Sequence, residues 1–150
     1  MAKKLINLKK AQKALEKTCK NWGFTIDCKI DGDTMEATAE IVTKAFGDEV
    51  DVDVLIMMDT EGFTMIGFEF GKIERTPQVY ELFNEFNMDG MSLVAGVDPD
   101  DDIWGVAHAN YMLPSKYVAE YTDIVFDNFF NDEKVAERIK PLIALTKKKD

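Results

Sequence analysis

The stretch VDVDVLIMMDTEGFTMIGFEF, Val50–Phe70, decides the fold. Val50, Val52, Val54 and Ile56 alternate with Asp51 and Asp53, and a period of two puts the two sets on opposite faces of a strand. At Leu55-Ile56-Met57-Met58 the pattern becomes apolar on both faces. Thr60-Glu61-Gly62 supplies a turn, and Phe63 to Phe70 follows as a second strand. A connection this short permits only antiparallel pairing.

Toward the N-terminus the alternation continues. Met35, Ala37, Ala39 and Ile41 alternate with Thr34, Glu36, Thr38 and Glu40. Asp31-Gly32-Asp33 turns the chain before them. Phe24, Ile26, Cys28 and Ile30 alternate with Thr25, Asp27 and Lys29, giving a four-stranded meander from about Phe24. Ahead of it, Leu8, Ala11, Leu15 and Trp22 share one helical stripe, Asn7 is the expected N-cap and Gly23 the terminating residue. Lys10, Lys13, Lys17 and Lys20 fall on the opposite side, so this helix is expected to dock its apolar face and leave its lysines in solvent.

Toward the C-terminus, Thr76-Pro77 opens a second helix with Pro at the first position. Val79, Leu82, Phe83 and Phe86 follow at helical spacing, and Asp89-Gly90 ends it. Two strands, about Met91–Val97 and Ile103–Tyr111, flank the turn Asp98-Pro99-Asp100-Asp101-Asp102. Ser115 is read as the cap of a third helix. A break near Asn131-Asp132 separates a fourth, with Val135, Ile139, Leu142 and Ile143 on one side. The order is α-β-β-β-β-α-β-β-α-α, an α+β class built on an antiparallel sheet. The 150 residues fit a single domain spanning the chain.

The middle of this sheet needs cover on both sides. Leu55, Met57, Phe63 and Met65 lie opposite Val54, Ile56, Ile66, Phe68 and Phe70. Cover of both faces by the chain's own helices is the expectation, with a second subunit or a partner as the alternative. If a surface is left for a protein partner, Leu55, Met57, Met65 and Trp104 are the residues expected to make the contact.

Charge is the most unusual bulk property. The chain carries a formal net charge of −10. Residues 1–20 hold seven Lys and one Glu, whereas residues 21–133 hold 25 acidic and five basic residues. Such a body repels nucleic-acid phosphates and attracts basic partners. No apolar run approaches the length of a membrane span, and no export signal follows the basic start, so a cytoplasmic protein is expected. Cys19 and Cys28 read as reduced, partly buried thiols.

Catalytic and cofactor motifs do not emerge. His108 has no sequence-local partner of a catalytic or metal-binding kind and reads as structural. Asp98, Asp100 and Asp102 match the first ligand positions of a calcium loop, but Ile103 and Ala109 stand where Gly and Glu are required. The stretch from Asp27 fails in the same way at Lys29 and Thr38. No phosphate-cradling, dinucleotide, nucleophile-elbow or zinc-helix motif occurs, so no enzyme, cofactor or metal is expected.

Val79-Tyr80-Glu81-Leu82-Phe83-Asn84-Glu85-Phe86-Asn87 is a helix ending in Asn-x-x-Asn, followed by two strands and a helix introduced by Pro-Ser. This arrangement, from about Leu8 to Phe130, resembles the YbjN-like family, which shares a fold with type III secretion chaperones. Phe83 stands where the family usually has Leu, and a further meander strand and a fourth helix are departures. The resemblance implies a small α+β protein that commonly forms homodimers and works by binding other proteins. A non-enzymatic, chaperone-like or regulatory protein-binding module is therefore the leading expectation. A small-ligand binder or enzyme with a pocket between sheet and helices, using His108, Tyr111 and the acidic turn, is the alternative. An acidic nucleic-acid mimic is a third.

Overall fold

The computed structural model describes residues 4–89 and 92–147. Its elements are α1 (Leu8–Asn21), β1 (Asp27–Asp31), β2 (Thr34–Thr43), β3 (Val50–Asp59), β4 (Thr64–Lys72), α2 (Pro77–Met88), β5 (Val94–Val97), β6 (Ile103–Asn110), α3 (Val118–Asn131) and α4 (Glu133–Leu145), with a short 3-10 turn at Ser115–Tyr117. The strands form one antiparallel sheet in the order β1-β2-β3-β4-β6-β5.

Local chemistry explains most boundaries. Asn7 caps α1 by accepting from the Lys10 N–H, and Thr76 caps α2 by accepting from the Val79 N–H. Gly23, at φ +95°, closes α1. Its N–H donates to the Lys20 carbonyl and the Phe24 N–H donates to the Cys19 carbonyl, the paired bonds of a Schellman motif. This motif also explains why β1 starts at Asp27 and not near Phe24: the backbone of Phe24 is committed to finishing the helix. The break at Asn131-Asp132 is a cap, since Asp132 accepts from the N–H groups of Lys134 and Val135.

Two other expectations change. Ser115 does not cap a helix. Its hydroxyl accepts from the Asn7 N–H and donates to the Leu5 carbonyl, tying the N-terminal segment to the region before α3. The fifth strand begins at Val94; Gly90 and Met91, expected to end α2 and to start that strand, lie outside the described residues, as do the tail lysines 148 and 149.

All four helices cover one face of the sheet. That face presents Met35, Ala37, Ala39, Val52, Val54, Ile56, Met58, Ile66, Phe68, Trp104 and Val106, all buried. The layer runs α1-α3-α4-α2 across it. Phe68 stacks on Phe129 of α3 at 3.7 Å between ring centroids, and Trp104 stacks on Phe70 at 4.3 Å. Trp22 at the end of α1 meets Phe126 and Phe130, so α1 and α3 share this aromatic core. The exposed Lys10, Lys13, Lys17 and Lys20 of α1 face away from it. Cover of both faces by the chain's own helices is thus overturned: among the described residues, no helix lies on the second face. No helix among the described residues is long and apolar enough to cross a membrane.

Candidate functional site

The strand register resolves the open face into rows perpendicular to the strands. One row is Thr38, Leu55, Gly67, Ala107 and Val94, in the order β2-β3-β4-β6-β5. On one side of it lies Glu36, Met57, Met65 and Ala109; on the other lies Glu40, Asp53, Glu69, Gly105 and Gly96. Beyond the methionines, Phe63 and the exposed Tyr111 meet at 5.4 Å between ring centroids. The face therefore grades from aromatic and thioether side chains to a row of carboxylates.

The apolar part is accessible. Met57 is 41% exposed and Val94 62%, while Leu55 and Met65 are half-buried. Isolated exposed apolar residues are ordinary, but a contiguous set on an uncovered sheet is a mark of interaction surfaces. Two hollows lie along it. One of about 620 Å³ is lined by Glu36, Thr38, Glu40, Asp53, Leu55 and Glu69, among others. The other, about 330 Å³, is lined by Leu55, Met65, Gly67, Glu69, Val94 and Gly96 with their neighbours. Leu55 and Glu69 border both.

The acidic row is electrostatically crowded. Burial, and then the carboxylates of Asp53, Asp98 and Asp101, hold Glu69 above its ordinary range. The turn that bears Asp98 and Asp101 is held by its own backbone and by Arg75. Asp98 accepts from the Asp100 N–H, and Arg75 Nη2 lies 2.8 Å from Asp102 Oδ1 and donates to the Pro99 carbonyl. Asp102 carries the left-handed backbone of the turn, at φ +56°. These contacts turn Asp102 toward a guanidinium. Among the described residues, no group of three or more His, Cys, Asp or Glu is arranged to hold a metal ion.

Of the four contact residues expected from the sequence, the structure brings Leu55, Met57 and Met65 together on the open face. Trp104 departs from them. It lies on the helix-covered face, fully buried, and its indole N–H donates to Thr146 Oγ1 at 2.6 Å. Alternation places Trp104 and Ile103 on opposite faces, and Ile103 is the one beside the trough. Val94, Gly67 and Gly96 were not singled out from the sequence. The two glycines were legible only as small residues where a two-sided apolar sheet would carry branched ones.

The family models, the curated proteins and the solved structures were each compared with this chain, and none matches. The site is therefore read from its own geometry.

The groups expected for a pocket between sheet and helices are not gathered. His108 points into the helix-covered side, where Nδ1 lies 2.7 Å from the Tyr121 hydroxyl. That hydroxyl also donates to the His108 carbonyl, and burial pushes the Tyr121 phenol up. Tyr111 is exposed on the other face, and the acidic turn lies at the far end of β6.

Proposed function

We propose that this chain is a non-enzymatic protein-binding module, chaperone-like or regulatory, whose contact surface is the open face of the sheet. One observation carries the reading: Leu55, Met57, Met65 and Val94 form a contiguous apolar surface that no helix of the described chain covers. Burying such a surface is worth roughly 25 cal/mol per Å² before the costs of association. Methionine suits it, because an unbranched thioether adapts to different partners. The resemblance of Val79–Asn87 to YbjN-like proteins supports the same role, acting in the cytoplasm with reduced thiols.

Site-specific photo-crosslinking tests this. A photoreactive side chain at Val94 or Met57 is expected to capture discrete protein partners in cells. The same group at Ile124, exposed on α3, is expected to capture none above background. Equal capture at all three positions, or none at any, would sink the proposal.

A further inference from the structure

Resting on the reading just given, we infer that the open face takes one basic amphipathic helix of a partner protein, laid across the strands along the row Thr38–Leu55–Gly67–Ala107–Val94.

Dimensions come first. The row crosses five strands from β2 to β5. At about 4.8 Å per strand it spans about 19 Å. A helix rising 1.5 Å per residue covers that span with about 13 residues. The two hollows that meet at Leu55 and Glu69 follow the same line.

The floor points the same way. Three glycines lie in it, for different reasons. Gly105 is required by the fold: a Cβ there would lie 2.5 Å from the Phe68 carbonyl oxygen. Gly67 and Gly96 have no such constraint. A Cβ at Gly67 would make only ordinary contacts at 3.8–3.9 Å, one at Gly96 would meet nothing within 4 Å, and neither residue has positive φ. Glycine in a strand weakens it without packing return. Both Cβ positions point into the trough, so their absence keeps the trough open.

Charge selects the occupant. Glu36, Glu40, Asp53, Glu69 and Asp98 border the trough, and Asp53, Asp98 and Asp101 already crowd Glu69. A helix with lysine or arginine along one edge and leucine-like residues along its base places cations on the row Glu40–Asp53–Glu69 and apolar groups on Leu55, Met57 and Met65. A second copy of this chain fits worse, since each copy brings a net charge of −10. A β-strand added at the β5 edge beside the trough fits worse too, because that edge is occupied: the Asn87 side chain bonds both the N–H and the carbonyl of Ala95.

The test uses the purified chain and three 14-residue peptides, followed by fluorescence anisotropy and circular dichroism. One peptide is an amphipathic Leu/Lys helix, one a scramble with lysine on all sides, and one an amphipathic Leu/Glu helix. The first is expected to bind at least about tenfold tighter than the others and to gain helicity when bound. Gly96→Val is expected to weaken it at least about tenfold with an unchanged or higher Tm, and Glu69→Lys to weaken it comparably. The inference is overturned if the scramble binds as well, if Gly96→Val leaves binding intact, or if the chain sediments as a dimer that Gly96→Val dissociates. If the peptide fails while crosslinks at Val94 persist, the partner class is wrong and the binding face stands. If both fail, the reading of the face falls with it.

Discussion

Trp104 and Met57 are large apolar side chains on opposite faces of one sheet, and the consequences of truncating them differ with their burial. Trp104 is fully buried against Phe70 and hydrogen-bonded to Thr146, so Trp104→Ala is expected to cost about 3–5 kcal/mol in urea unfolding. Met57→Ala, on the open face, is expected to cost less than about 1 kcal/mol. Equal costs would show that the two faces are not as different as described. Glu69 offers a test by pH. Its folded pKa is raised by burial and by Asp53, Asp98 and Asp101, so the folded state holds the proton more tightly than the unfolded one. The resulting penalty is fully present above the folded pKa, shrinks as pH falls through it, and is gone below the unfolded value. Glu69→Gln should therefore raise Tm at neutral pH, with a margin that narrows on acidification and vanishes below the ordinary glutamate range. Thermal melts from pH 4 to 8 check the sign; a margin that grows on acidification contradicts it.

At the scale of elements, β5 is the weakest strand by length, and its outer edge depends on one side chain. Asn87, at the end of α2, supplies Ala95 with an acceptor at 2.8 Å and a donor at 3.1 Å. Asn87→Ala removes both bonds. It is expected to cost about 1–3 kcal/mol and to speed hydrogen exchange at the Ala95 amide well beyond that of β3 amides. Uniform acceleration across the sheet would argue that β5 does not open separately. The element order was legible in the sequence because period-two alternation, the Asp31-Gly32-Asp33 turn and the Asn7, Gly23 and Thr76-Pro77 signals are local. Ser115 was misread because its hydroxyl serves Leu5 and Asn7, more than a hundred residues away, and no local pattern reports that. The start of β1 was misplaced because Phe24 alternates like a strand residue while its N–H closes α1.

For the whole molecule, the sequence showed that the sheet centre is apolar on both sides, and three of the four expected contact residues do share the open face. It did not show where the helices go. Helix periodicity says which stripe is buried, and Phe126, Phe129 and Phe83 fit cover on either side equally well. Only the packed structure places every stripe on the Trp104 side. The same packing governs the thiols. Burial, then the charges of Cys28 and Asp123, pushes Cys19 up to about 12. Burial, then Glu16 and Asp27, pushes Cys28 up to about 11. At pH 8 both thiols are then far less ionised than a free cysteine. Disulfide-exchange reagents should label both thiols at least about tenfold more slowly than free cysteine, with the rate rising in step with global unfolding. Fast labelling of Cys19 in the folded chain would mean that α1 detaches on its own.

The Asn87 contact also limits how copies of this chain can join. A sheet grows into a fibre only if both of its ends can accept a neighbour. Here β1 ends the sheet without a further strand among the described residues, whereas the β5 end is terminated by an amide that mimics the next strand. Addition at β1 alone joins two copies and then stops, because the dimer presents two terminated ends. The side chain thus closes one end of a sheet that also exposes an apolar face, and its loss would free that end as well, the condition that open-ended addition requires.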